Sequence, residues 1–145
     1  MSKLRSPWLL YPLFFFTGGH FGWIWILLLM SDINMIEMRR VFPIRMVALG
    51  VATYYVLLIA LFILFFLSGA SLSTHAMSIY GFFAVAIGHS MFWIISAIVI
   101  DRHIYRLRSS TYGFLDGVVT VLFTLLWGVS FIRAQVRINK LIARE

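Results

Sequence analysis

Four apolar runs, at residues 8–31, 44–68, 77–100 and 112–132, decide what this chain can fold into, because each is long and nearly free of charge. About 20 apolar residues of helix cross a hydrocarbon core about 30 Å thick. Lipid offers backbone N–H and C=O groups no partner, so such segments must satisfy themselves as helices. The short alternating strands of a membrane barrel are missing. Composition agrees, since 62% of the 145 residues are hydrophobic and 12% charged, against roughly 45–50% and 25% in soluble domains. The expected product is an integral membrane protein. Lys3 and Arg5 precede the first run as in a signal peptide, but the run continues to Met30 without a small-residue cleavage pattern and reads as an uncleaved anchor.

The first run and its polar end recur. Tyr11, Phe14, Gly19, His20, Ile26, Asp32 and Arg39 stand 69 residues before Tyr80, Phe83, Gly88, His89, Ile95, Asp101 and Arg108. This predicts an all-α, polytopic membrane helix bundle forming one domain over residues 1–145. Four transmembrane helices make two tandem helical-hairpin repeats, about 8–68 and 77–132, followed by a C-terminal amphipathic helix over 133–145. Each repeat holds two spans, so the units run parallel, related by an axis along the membrane normal.

Small residues mark where helices should approach. Gly18 and Gly22 are four apart in the first run, Ala84 and Gly88 four apart in the third, and Gly113, Gly117, Thr120, Thr124 and Gly128 follow one face of the fourth. Seams on three spans exceed what one small bundle needs, so a homo-oligomer is expected. The Thr17-Gly18-Gly19 step weakens its helix, leaving the first run either a continuous span or a broken, re-entrant one. Pro43 suits the first turn of the second span.

Twelve Lys and Arg against five Asp and Glu give a net charge of +7. The basic residues flank the runs, where they act as topology signals and headgroup contacts. No aromatic and basic platform lies outside the runs, so membrane lipids rather than nucleic acid are the expected partner. Arg133, Arg137, Lys140 and Arg144 share one face of the tail, with Ile138, Leu141 and Ile142 supplying an apolar side. This predicts a helix lying on an anionic leaflet or docking a protein partner. With four spans, Lys3, Arg5, Arg133, Arg137, Lys140 and Arg144 lie on one side and Arg39, Arg40, Arg45, Arg102, Arg106 and Arg108 on the other. Six against six gives no orientation.

Ionisable groups inside a span are costly and usually face the protein interior, which singles out His20 and His89. They could relay protons, line a pore, ligate a haem between them, or simply bond to backbone across the bundle. Asp32 and Asp101 close their runs with Arg39 and Arg108 seven residues on, suggesting an ion pair or cap, or an acidic ring at a pore mouth. Asp116 lies one turn inside the fourth run, where it should pair with Arg106, Arg108 or His103 or else be raised in pKa. Zero cysteines remove disulfides, thiolate metal sites and thiol nucleophiles. No catalytic or metal-binding motif is present, so neither an enzyme nor a metal site is expected.

Thr17-x-Gly19-x-x-Gly22-x-x-Trp25, followed by Asp32-x-Asn34, resembles the T-x-G-x-x-G-x-x-W, D-x-N signature of a bacterial membrane family, the domain of unknown function numbered 4234. The resemblance covers residues 11–39 and implies a small protein of the bacterial inner membrane, without an activity. The residues themselves point first to a subunit of an oligomeric channel or transporter. The competing readings are a non-transporting scaffold or accessory subunit docking through the basic tail, and a bis-histidine haem electron carrier.

Overall fold

The computed structural model describes residues 5–17, 19–67, 72–126 and 128–143, with the backbone alone at 67, 72–75 and 78. Gly18 and Arg144, expected at a packing seam and a lipid-facing tail, lie outside the described residues. Six helices follow in order: α1 Pro7–Phe16, α2 Phe21–Ile36, α3 Ile44–Leu67, α4 Leu72–Leu107, α5 Phe114–Leu125 and α6 Val129–Ile142. Among the described residues there is no strand. The chain forms two compact units, Arg45–Phe92 and Met1–Ile44 with Trp93–Glu145.

Two helices are long and apolar enough to cross a membrane, over Ile44–Phe66 and Ile79–Leu107. None of the apolar stretch of α3 is buried inside the molecule. A helix apolar all round and left uncovered needs lipid as its solvent. In the Arg45–Phe92 unit, Gly81 lies so close to Leu61 that a Cβ there would stand 2.7 Å from the leucine side chain. The Phe65 and Phe82 rings meet edge to face at 6.3 Å. Gly88 has no atom within 4 Å of where its Cβ would be, and Ala84 is exposed, so among the described residues neither is at a close helix approach.

The runs at 8–31 and 112–132 are each broken into two helices, the second of the two readings open for the first run and a departure from the single span expected of the fourth. A straight helix over 24 residues would separate its ends by about 36 Å. Instead Arg5 Nη1 lies 2.6 Å from Asp32 Oδ2, so the chain doubles back between them. The reason is local: Gly19 takes φ +89°, open to glycine and disfavoured for residues with a Cβ. The Thr17 hydroxyl bonds back to the Leu13 carbonyl at 2.8 Å and accepts the Phe21 N–H at 2.9 Å, closing one helix and opening the next. The second fold-back follows the same logic. Tyr105 Oη donates to Asp116 at 2.5 Å and accepts from Arg133 at 3.1 Å, so residues 17 positions apart share one oxygen. Here α5 and α6 meet at 119°, and Gly128 at φ +72° makes the turn.

These hairpins pack their tips on one aromatic cluster. Phe14 and Trp93 approach to 5.2 Å between centroids, Trp25 and Phe131 to 6.0 Å, and Trp93 and Phe131 to 5.8 Å. Gly22 sits beneath it, where a Cβ would come within 2.7 Å of Trp93 and 2.8 Å of Phe14. The expected basic tail is thus the second arm of a hairpin: α6 begins at Val129 and buries Phe131, Ala134, Gln135 and Ile138 against its neighbours.

A candidate functional site: the closed polar network

Away from the aromatic tips, the larger unit gathers its polar side chains where α2 and α4 end. Asp101 on α4, 4% exposed, accepts from Arg137 on α6 at 2.5 Å and from Thr120 on α5 at 2.7 Å. One turn along α4, Tyr105 receives Arg133 at 3.1 Å and Arg137 at 3.2 Å and donates to Asp116. The Arg137 guanidinium also lies over the Tyr105 ring, 4.6 Å from its centroid. Asp116 turns its other oxygen to the Gly113 N–H at 3.0 Å, closing the first turn of α5. Two carboxylates and two guanidiniums thus neutralise one another around one phenol, and Thr124 extends the chain of hydroxyls to Ser130 at 2.9 Å.

A second knot ties the chain start to α2 and α6. Asp32, fully buried, takes the Arg5 ion pair, and Arg5 also donates to the Leu28 carbonyl at 3.2 Å. Asn139 holds the Arg5 backbone from both sides, donating to its carbonyl at 2.6 Å and accepting its N–H at 3.4 Å. Gln135 bridges Asn139 at 3.1 Å and the Trp25 indole at 3.2 Å. A third knot pins the 37–43 connection to α4. Glu37 meets His103 at 2.6 Å and Arg39 at 2.6 Å, while Asn34 exchanges two hydrogen bonds with the Phe42 backbone, at 2.9 and 2.8 Å. The Arg39 hydrogen bond holds the Glu37 carboxyl below its ordinary value of 4.5, against burial that pushes it up, and the bond to His103 adds to the lowering.

The residues singled out from sequence therefore separate. Asp32, Asp101 and Asp116 all join the network, but through Arg5, Arg137 and Tyr105 rather than Arg39, Arg108 or Arg106. Arg133 and Arg137 turn inward to Tyr105 and Asp101, and of that basic face Lys140 is the described residue left exposed. His20 is exposed at the start of α2, and His89 is half-buried on α4 with its ring 4.9 Å from Tyr54. Thr120 and Thr124 are buried hydrogen-bonding residues, whereas at Gly113 and Gly117 a Cβ would meet Asp116 at 3.6 Å and Tyr112 at 3.8 Å, ordinary contact rather than a tight helix approach. Sequence reading took Arg5 only as a flanking topology charge and passed over Tyr105, Gln135 and Asn139. The last two carried a signal, being amides spaced i, i+4 on the buried side of an otherwise basic helix.

Chemically the network binds the chain to itself. Each Asp and Glu among the described residues has a donor, and the described residues contain no group of three or more His, Asp or Glu able to hold a metal ion. Compared with known proteins, the chain matches no protein-family model, no curated protein and no solved structure.

Proposed function

We propose that the chain is a non-transporting membrane scaffold or accessory subunit, anchored by α3 and α4 and by two re-entrant hairpins. The observation carrying this reading is the network: a channel or carrier keeps polar groups available to its cargo, whereas here each described carboxylate takes a donor from the same chain, with only Asp32 Oδ1 among their buried oxygens left without a hydrogen bond. The docking surface left for a partner is the outer side of α6, where Val136, Lys140 and Ala143 are exposed one turn apart.

Two spans also resolve the charge balance. Lys3, Arg5, Arg39, Arg40 and Arg45 precede or begin α3, and Arg102, Arg106, Arg108, Arg133, Arg137, Lys140 and Arg144 lie at or beyond the end of α4, while residues 67–78 carry no Lys or Arg. Twelve against none supports an orientation with both chain ends in the cytoplasm of a bacterial inner membrane. Four spans in two repeats is the competing topology. α2 and α4 each end two residues before a left-handed residue, Met38 and Ser109, both at φ 52°, but these stand 71 apart rather than the 69 of the sequence repeat.

The test is purification in mild detergent followed by reconstitution. A stoichiometric protein partner lost in the Val136→Asp, Lys140→Glu double variant, with no ion or proton flux in liposomes, is the expected result. Flux that falls in His89→Ala would overturn it in favour of an oligomeric channel or transporter subunit, a reading favoured by the contact between His89 on α4 and Tyr54 on α3. The preparation should be colourless; a Soret band lost in His20→Ala or His89→Ala would assign a haem carrier instead.

A further inference from the structure

Between α4 and α5 lies a groove of about 590 Å³, within the range of small-ligand sites, which run about 300–1,000 Å³. Its walls are Ile98 and Arg102 from α4 and Phe114, Gly117, Val121 and Leu122 from α5. The pairing of the two helices fixes its polarity. Thr120 meets Asp101 and Asp116 meets Tyr105, so α5 runs antiparallel to α4. Arg102 therefore stands toward the polar end, and Ile98, Val121 and Leu122 lie toward the apolar one. Arg102 and Arg106 are four apart on α4, both exposed, and neither forms an ion pair among the described residues. At Gly117 a Cβ would meet nothing closer than Tyr112, at 3.8 Å, so the groove floor is open because this residue has no side chain.

We propose that this groove binds one anionic phospholipid, with an acyl chain along Gly117 and Val121 and the phosphate at Arg102 and Arg106. The occupant follows from charge and shape. One unneutralised guanidinium, Arg102, lines the end of an apolar channel, and a second, Arg106, stands one turn beyond it on the same helix, which is long enough to span a bilayer. From Phe114 to Leu122 the channel runs about 12 Å along α5, enough for roughly half of an acyl chain. A guanidinium fork is suited to phosphate oxygens, and its aliphatic stem covers apolar surface. The assignment is independent of whether the protein is a scaffold or a channel.

Native mass spectrometry of the full chain, released from nanodiscs containing equal phosphatidylglycerol and phosphatidylcholine, tests it. Wild type should retain one phosphatidylglycerol in preference to phosphatidylcholine. Each Lys or Arg at such a surface contributes on the order of 1 kcal/mol, so Arg102→Gln should lower that preference about fivefold without abolishing lipid retention. Gly117→Leu should fill the floor and reduce retention of both lipids, and Val118→Trp, changed at the exposed rim, should do the same without touching the helix interface. Circular dichroism and gel filtration check that the variants fold. Equal retention of the two lipids by wild type would overturn the proposal. So would retention unchanged in both groove-filling variants, or a change of oligomeric state in them with lipid retention intact, which would make the groove a seat for a second copy.

Discussion

At the residue scale, Asp101 and Arg137 show why a buried charge is held rather than merely tolerated. Losing one partner leaves the other without compensation in a largely buried site, a loss of at most about 3–5 kcal/mol, whereas removing both is far milder. Asp101→Asn and Arg137→Met should each lower resistance to unfolding in mixed micelles, and the double variant should lose less than their sum. Simple additivity would show the pair to be uncoupled. Glu37 makes a pH-dependent version of the same argument. Its folded pKa is depressed, so its contribution is complete above its ordinary value of 4.5 and is lost as pH falls through the lower folded value. Glu37→Gln should therefore be less stable than wild type at neutral pH, with the gap closing on acidification below about 4.5. A gap that widens in acid would refute the assignment. The sequence made the aspartates visible, because a carboxylate at the end of an apolar run needs a reason. Their partners stayed hidden, because Arg5 and Arg137 reach them across fold-backs that no local spacing encodes.

The elements carry the larger surprise. Gly19 and Gly88 are equivalent in the repeat, yet one bends the chain at φ +89° with Trp93 3.0 Å from where its Cβ would lie, and the other sits inside α4 with open space around it. Their alanine variants should diverge. Gly19→Ala incurs left-handed strain of about 1–2 kcal/mol, plus crowding against the indole. Gly88→Ala should be neutral or stabilising by up to about 1 kcal/mol, since alanine is the better helix former. Gly22→Ala, which drives a methyl into Phe14 and Trp93, should lose about 1–3 kcal/mol through overpacking. Micelle unfolding of the three variants makes the comparison, and a clear loss in Gly88→Ala would reveal a second chain closing on that face. The break at Thr17 to Gly19 was legible as a weakness, because glycine pairs are poor helix formers. Its outcome as a full reversal was not, since it depends on Arg5 meeting Asp32 and on Phe14 packing against Trp93. In the fourth run, small side chains read as one packing seam do three jobs: the threonines bond inward, Gly113 and Gly117 line a groove, and Gly128 makes the turn.

At the scale of the whole molecule, the question is how many times the chain crosses the bilayer. The absence of cysteine makes it directly measurable. In both topologies the two chain ends share a side, so terminal reporters alone do not separate them. The connections do. If α3 and α4 are the two spans, residue 110, between α4 and α5, lies on the same side as residue 6, and the 68–71 link lies opposite. With four spans residue 110 moves across, and 68–71 joins the chain start. Ser6 and Ser110 are both exposed, and serine to cysteine is a small change at either site. In sealed inverted vesicles a membrane-impermeant maleimide should label Ser6→Cys and Ser110→Cys alike and leave Ser68→Cys unlabelled, with the pattern reversed in intact spheroplasts. Labelling of Ser6→Cys and Ser68→Cys together, with Ser110→Cys protected, would restore the four-span bundle. Because all twelve basic residues fall on one side of a two-span chain, the orientation should be single, and mixed labelling at every site would mark insertion in both directions.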